Sequence, residues 1–213
     1  MVTARINITT LLAAVAVIAT VELSMAAVRS AYPLPPLVAT GINRLLEIVL
    51  LLGMVIRLNR SLEAIGFSAP KWRQGLKRGL LWSAGFGLIA GIGFSVLYFF
   101  KVQPLALIGT RLPGQPRKLL LLFVVGGLIA PVAEEIFFRG ILYGFLRRWG
   151  AFVAVAVSTT VFVTLHPTQG FSLTQLVGGI VFAIAYEIED NLLVPISIHV
   201  MGNSAIFAVS LIF

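Results

Sequence analysis

Glu134, Glu135 and Arg139 fall within six residues of one another inside a long apolar stretch, Ala130-Pro-Val-Ala-Glu-Glu-Ile-Phe-Phe-Arg-Gly-Ile-Leu-Tyr-Gly144. A charge at the centre of a membrane helix costs about 2.5–3.5 kcal/mol on insertion scales. Three charges so close together therefore need a function or partners that offset them. The sequence has two histidines, His166 and His199, and an amide four residues after the second, Asn203. A carboxylate beside imidazoles can activate water as a general base. Imidazole and amide N–H groups can stabilise an oxyanion. Together these types describe an intramembrane hydrolytic site.

The spacing sorts the residues. Glu135 and Arg139 stand at i,i+4 with the carboxylate N-terminal, the favoured order for a helical ion pair. Glu134 points about 100° away around the helix and is left to act on water. Phe162-Val-Thr-Leu-His166 closes the next apolar run. His199 and Asn203, also at i,i+4, share one face of the last run. Taken singly, each motif has another reading. An intramembrane histidine can bundle helices by hydrogen bonding. A Glu–Arg pair can belong to a transporter or proton relay. A Glu/His cluster can bind zinc, with Glu134, His166 and His199 as the ligands.

The elements that must position these groups are helical and apolar. The chain has 213 residues, 59% hydrophobic and 11% charged, with mean hydropathy +1.01. A soluble domain is about one quarter charged. The composition indicates an all-α, polytopic transmembrane bundle of about seven helices, forming a single integral membrane domain over residues 1–213. Residues 130–204 form its catalytic core. The runs are longer than the ~10-residue alternating strands of a membrane barrel. Net charge is +8, with the basic residues between apolar runs. That fits positive-inside anchoring against anionic lipid and does not call for a nucleic-acid partner. The absence of cysteine excludes disulfides, thiol catalysis and cysteine-based metal sites.

In order, residues 8–28 read as a first helix. A cleaved signal peptide ending near Ser24-Met25-Ala26 is the alternative. A turn at Tyr32-Pro-Leu-Pro-Pro36 leads to a second span, Leu37 to Leu58. Arg44 and Glu47 can pair there on one face as a structural ion pair. Asn59 to Arg78 is a basic connection, and Arg57 to Arg78 holds six basic residues, the strongest cytoplasmic signal. Gly79 to Phe100 is a third span, whose Gly85, Gly87, Gly91 and Gly93 predict close helix contact. After a Pro/Gly-containing loop, Leu119 to Arg148 is a long fourth helix. Ala151 to His166 is a fifth, stopped by Pro167. Leu173 to Tyr186 is a sixth, and Leu192 to Phe213 the last.

At about 1.5 Å per residue, Glu134 lies ~20 Å from the Arg147 end of its helix and His166 ~24 Å from Gly150. By the same rise, His199 and Asn203 lie ~12 Å and ~18 Å from Asn191. These three reference ends alternate to one side of the membrane, so the polar groups share a layer.

Glu134-Glu135-x-x-x-Arg139, Phe162-x-x-x-His166 and His199-x-x-x-Asn203, in that order, resemble the CPBP family. This is the CAAX-protease and bacteriocin-processing (Abi) family, which includes the Ras-converting CAAX endopeptidases. The similarity runs from about Ala130 to Ser204 and takes in Phe138-Arg139-Gly140. The resemblance implies an intramembrane endopeptidase with a helical cavity open to the cytoplasmic side. Carried over, Glu134 with His166 would activate water. His199 with Asn203 would form the oxyanion hole, and Glu135 and Arg139 would support the site. It implies a glutamate-dependent enzyme without a metal, with zinc as the alternative. The partners would be the lipid bilayer and a membrane-associated peptide or protein, and the short prokaryotic type implies a plasma-membrane location. Two readings from other classes stand beside it, a non-catalytic membrane interaction or immunity protein and a small transporter.

Overall fold

The computed structural model describes residues 6–103, 108, 110, 112–166 and 173–212. Pro167, expected to stop the fifth helix, lies outside the described residues.

Seven long helices stand out among the described residues: α1 (Ile8–Ala31), α2 (Pro36–Asn59), α3 (Trp72–Phe99), α4 (Pro116–Trp149), α5 (Ala151–Thr164), α6 (Leu173–Glu189) and α7 (Leu193–Ser210). No strand occurs among the described residues. Helices satisfy their own backbone groups, which lipid requires. Five of them, α1, α2, α3, α4 and α7, are long and apolar enough to cross a membrane. Large apolar side chains such as Leu88, Phe99 and Phe152 stand exposed, as a lipid-facing surface demands. The chain is an integral membrane protein of all-α, polytopic architecture.

The other two helices are short, as the ranges Ala151 to His166 and Leu173 to Tyr186 implied, although α6 runs on to Glu189. Helix α5 has 14 residues and α6 has 17. At about 1.5 Å per residue these reach ~21 Å and ~26 Å, short of the ~30 Å hydrocarbon core. His166, just past the end of α5, therefore stands at the depth of the middle of α4.

Helix α4 is the axis of the site. Asn7 caps α1 by accepting from the Thr10 N–H at 2.8 Å. Ile6, just before it, is buried against Gly144 of α4, and its carbonyl accepts from Arg148 at 2.6 Å. The connection between α2 and α3 turns at Gly66 (φ +74°). Ile65 there is fully buried. A Cβ on Gly140 would come within 2.9 Å of it, so the glycine after Arg139 makes room for the connection. The Gly66 carbonyl accepts from Leu192 N–H at 2.9 Å, which ties the same turn to the start of α7.

The basic end of the bundle is latched. Glu187 of α6 accepts from Tyr143 at 2.8 Å and from Arg147 at 2.6–2.9 Å. Trp82 of α3 donates to Glu189 at 2.9 Å. Among the described residues, the glycines expected to mediate contact on α3 meet no neighbour: nothing lies within 4 Å of a Cβ at Gly85, Gly87, Gly91 or Gly93. Gly75 and Gly79 take that part, facing Asn191 and Ser197.

Candidate active site

Helix α4 is not uniformly α-helical around the paired glutamates. Val125–Ile129 and Ile136–Tyr143 are π-helical, and Ala130–Glu135 between them is α-helical. Widened turns of this kind re-aim the side chains that follow and occur often at functional sites. Pro131 lies in the α-helical piece, just after the first π segment.

Glu135 and Arg139 form the expected pair. Both are fully buried, and Arg139 donates to Glu135 Oε1 at 2.8 Å. Arg139 also donates to the Gly179 carbonyl at 3.3 Å. Its guanidinium lies 4.9 Å from the ring centre of Phe162 and 5.2 Å from that of Phe182. Aromatic faces and a carboxylate are what a desolvated guanidinium needs.

The same Glu135 oxygen also lies 2.8 Å from His199 Nδ1. A carboxylate accepts, so Nδ1 carries the hydrogen and Nε2 turns the other way. There it meets Glu134 Oε2 at 3.8 Å. Phe182 stacks on the His199 ring with centroids 4.6 Å apart. On the other side of Glu134, His166 Nδ1 lies 2.7 Å from the Phe162 carbonyl. A carbonyl also only accepts, so His166 Nδ1 donates and Nε2 faces Glu134 Oε1 at 3.5 Å. Glu134 therefore sits between two imidazoles, each with its second nitrogen tied back.

Exposure separates the roles. The His166 side chain is 29% exposed and Glu134 14%, while Glu135 is at 0% and His199 at 6%. Water can reach Glu134 and His166, with Glu135, Arg139 and His199 behind them.

Asn203 is placed differently from the other five. Its Nδ2 donates to the backbone carbonyl of Gly126 at 2.9 Å. Sequence reasoning put Asn203 on the His199 face and had no signal for this partner. It also missed Glu22 and Asn43. Arg44 pairs with Glu47 at 2.5 Å as expected, but Asn43 donates to Glu22 of α1 at 2.9 Å. Arg44 itself reaches Glu22 at 3.4 Å. A polar cluster thus joins α1 and α2. A lone acid on α1 gives no hint of such an interhelical partner.

Two imidazole Nε2 atoms around a carboxylate, with both Nδ1 atoms bound back, have the donor chemistry of a zinc site. Among the described residues, however, no three His, Asp or Glu side chains are arranged to hold a metal ion.

Residues 116–205, which run from α4 into α7, match the family model described as type II CAAX prenyl endopeptidase Rce1-like. This match takes in under half of the 213-residue chain. It contains Glu134, Glu135, Arg139, His166, His199 and Asn203. The chain is also similar to the Bacillus subtilis (strain 168) protein named "Putative membrane peptidase YdiL", at 30% identity over 92 residues, 43% of this chain and 38% of that protein. A second relative is the "Membrane-embedded CAAX protease MroQ" of Staphylococcus aureus (strain USA300). It is 32% identical over 94 residues, 41% of this chain and 38% of that protein. The matched region thus spans well under half the length of either relative. No solved structure matches. The Rce1-like segment begins at Pro116, so α1 to α3 lie outside it.

Proposed function

We propose that the protein is an intramembrane endopeptidase that hydrolyses a peptide bond of a membrane-associated peptide or protein. The observation that carries this reading is the position of Glu134 between His166 Nε2 and His199 Nε2 on the open side of a buried Glu135–Arg139 pair. The Rce1-like match over the same residues supports it.

In this mechanism Glu134, aided by His166, takes a proton from a water molecule. The resulting hydroxide attacks the scissile carbonyl carbon. Charge develops on the carbonyl oxygen, and a doubly protonated His199 donates to it from Nε2. Its Nδ1–H stays on Glu135, so the ring has one orientation. The Asn203 amide hydrogen not used on Gly126 is the second donor. Collapse of the tetrahedral species breaks the C–N bond. The proton held at Glu134 passes through His166 to the leaving amine. The products are a carboxylic acid and an amine, and transfer of the acid's proton to the amine leaves a carboxylate and an ammonium, with Glu134 again ionised. Fixed donors of this kind typically contribute ~10²–10³ in turnover each.

The site would open to the cytoplasmic side, where the basic residues of the 57–78 connection and the Arg147–Arg148 end of α4 gather. The bilayer would present the substrate.

The test is cleavage of a library of membrane-anchored peptides by the purified full chain in detergent, read by mass spectrometry. Wild type should cleave a defined set, and Glu134→Ala and His199→Ala should cleave none of it. Full cleavage by either variant would remove Glu134 or His199 from the chemistry. Loss of transport of small solutes by the same variants in vesicles, with no peptidase activity, would favour a transporter.

A further inference from the structure

The break in α4 at Pro131 supplies the hydrogen bond that holds Asn203. In the first π segment the Ala130 N–H donates to the Val125 carbonyl, five residues back. The next bond in that pattern would run from residue 131 to Gly126. Residue 131 is proline and has no N–H, so the Gly126 carbonyl is left without its backbone donor. A carbonyl inside a membrane-spanning helix needs another partner. The Asn203 side chain of α7 provides it at 2.9 Å. Helix α7 can approach because residues 126 and 127 are both glycine. A Cβ at Gly126 would press on Phe207 at 3.2 Å, and one at Gly127 on Ser204 at 3.2 Å.

We propose that Pro131, through the Gly126 carbonyl it leaves unpaired, is a positioning residue for the Asn203 amide. One amide hydrogen is fixed on Gly126, which sets the plane of the amide and aims the other. His199 and Asn203 are then fixed on the same helix from two points of α4: Glu135 holds the imidazole and Gly126 holds the amide. The role in turnover rests on the peptidase reading above, whereas the anchoring itself does not.

The experiment is a double-mutant cycle on Pro131→Ala and Asn203→Ala, made in the full chain and read by melting temperature in detergent and by peptide cleavage. Asn203→Ala orphans the Gly126 carbonyl only while residue 131 lacks an N–H. Its melting temperature should therefore fall by several degrees when Pro131 is present. The fall should be clearly smaller in the Pro131→Ala background. In cleavage, Pro131→Ala alone should lower kcat on the order of tenfold with KM within about twofold, the pattern of a displaced donor. Equal melting losses from Asn203→Ala in both backgrounds would overturn the anchoring, whatever the enzyme does. Non-additive melting with unchanged kcat in Pro131→Ala would overturn the positioning role. Non-additive melting in a protein whose wild type cleaves nothing would uphold the anchor and contradict the peptidase reading instead.

Discussion

His199 Nδ1 and Glu135 Oε1 lie 2.8 Å apart, and that oxygen also receives Arg139. A single buried carboxylate thus holds both the cation beside it on α4 and the imidazole on α7. This makes Glu135 the structural centre of the site and leaves Glu134, next in sequence, free to face the open side.

Glu135→Gln should therefore destabilise the protein far more than Glu134→Gln. Removing one partner of a buried ion pair typically costs ~3–5 kcal/mol, because the other charge is left uncompensated. Melting in detergent checks this: Glu135→Gln should lower the midpoint strongly. Glu134→Gln, whose carboxylate meets the two imidazoles only at 3.5 and 3.8 Å and is partly exposed, should lower it much less. Equal midpoints would contradict the division of labour.

Phe182 stacks on His199 and lies under Arg139. Phe182→Ala should cost ~3–5 kcal/mol as a buried aromatic truncation. Phe182→Leu should recover much of that stability, yet turnover should stay depressed, since a leucine fills space without a flat face for the ring. Melting and steady-state cleavage of the two variants, measured together, separate packing from orientation.

The Glu187 latch joins α6 to the end of α4 through Tyr143 and Arg147. It is only partly buried, so Glu187→Ala should cost about 1–3 kcal/mol from the orphaned partners. A reduced melting midpoint is expected, with cleavage retained well below it. A loss of cleavage without any loss of stability would place Glu187 in the chemistry instead.

Because no described trio of His, Asp and Glu is arranged around a metal position, cleavage should survive prolonged chelation. Added zinc should not raise it. Chelator-sensitive cleavage restored by zinc would assign His166, His199 and Glu134 to a metal centre.

The clustering of Glu134, Glu135, Arg139, His166 and His199 was legible in the sequence because helical periodicity ties spacing to direction. The i,i+4 step put Glu135 on Arg139 and left Glu134 to one side, and the rise per residue placed His166 at the depth of Glu134. Contacts between helices were not legible. Nothing in the spacing says that His199 reaches Glu135 as well as Glu134, or that Glu22 meets Asn43. The glycines of α3 show the same limit: Gly85 to Gly93 look like a contact stripe, but Gly75 and Gly79 are the ones that a neighbour approaches. The ranges Ala151 to His166 and Leu173 to Tyr186 already made α5 and α6 short, but the extension of α6 to Glu189 was hidden, because apolar composition alone does not fix where a helix ends. The π segments of α4 were hidden too. Pro131 signals a missing donor, but only the approach of α7 shows what replaces it.

The central claim, that Glu134 activates water, is tested most directly by a single turnover in water enriched in oxygen-18. Wild type and Glu134→Gln would be run on one cleaved peptide, with product and enzyme both weighed by mass spectrometry. The account predicts one heavy oxygen in the new C-terminal carboxylate, none in Glu134, and no product from Glu134→Gln. Heavy oxygen in the Glu134 carboxylate, or normal product from Glu134→Gln, would contradict it.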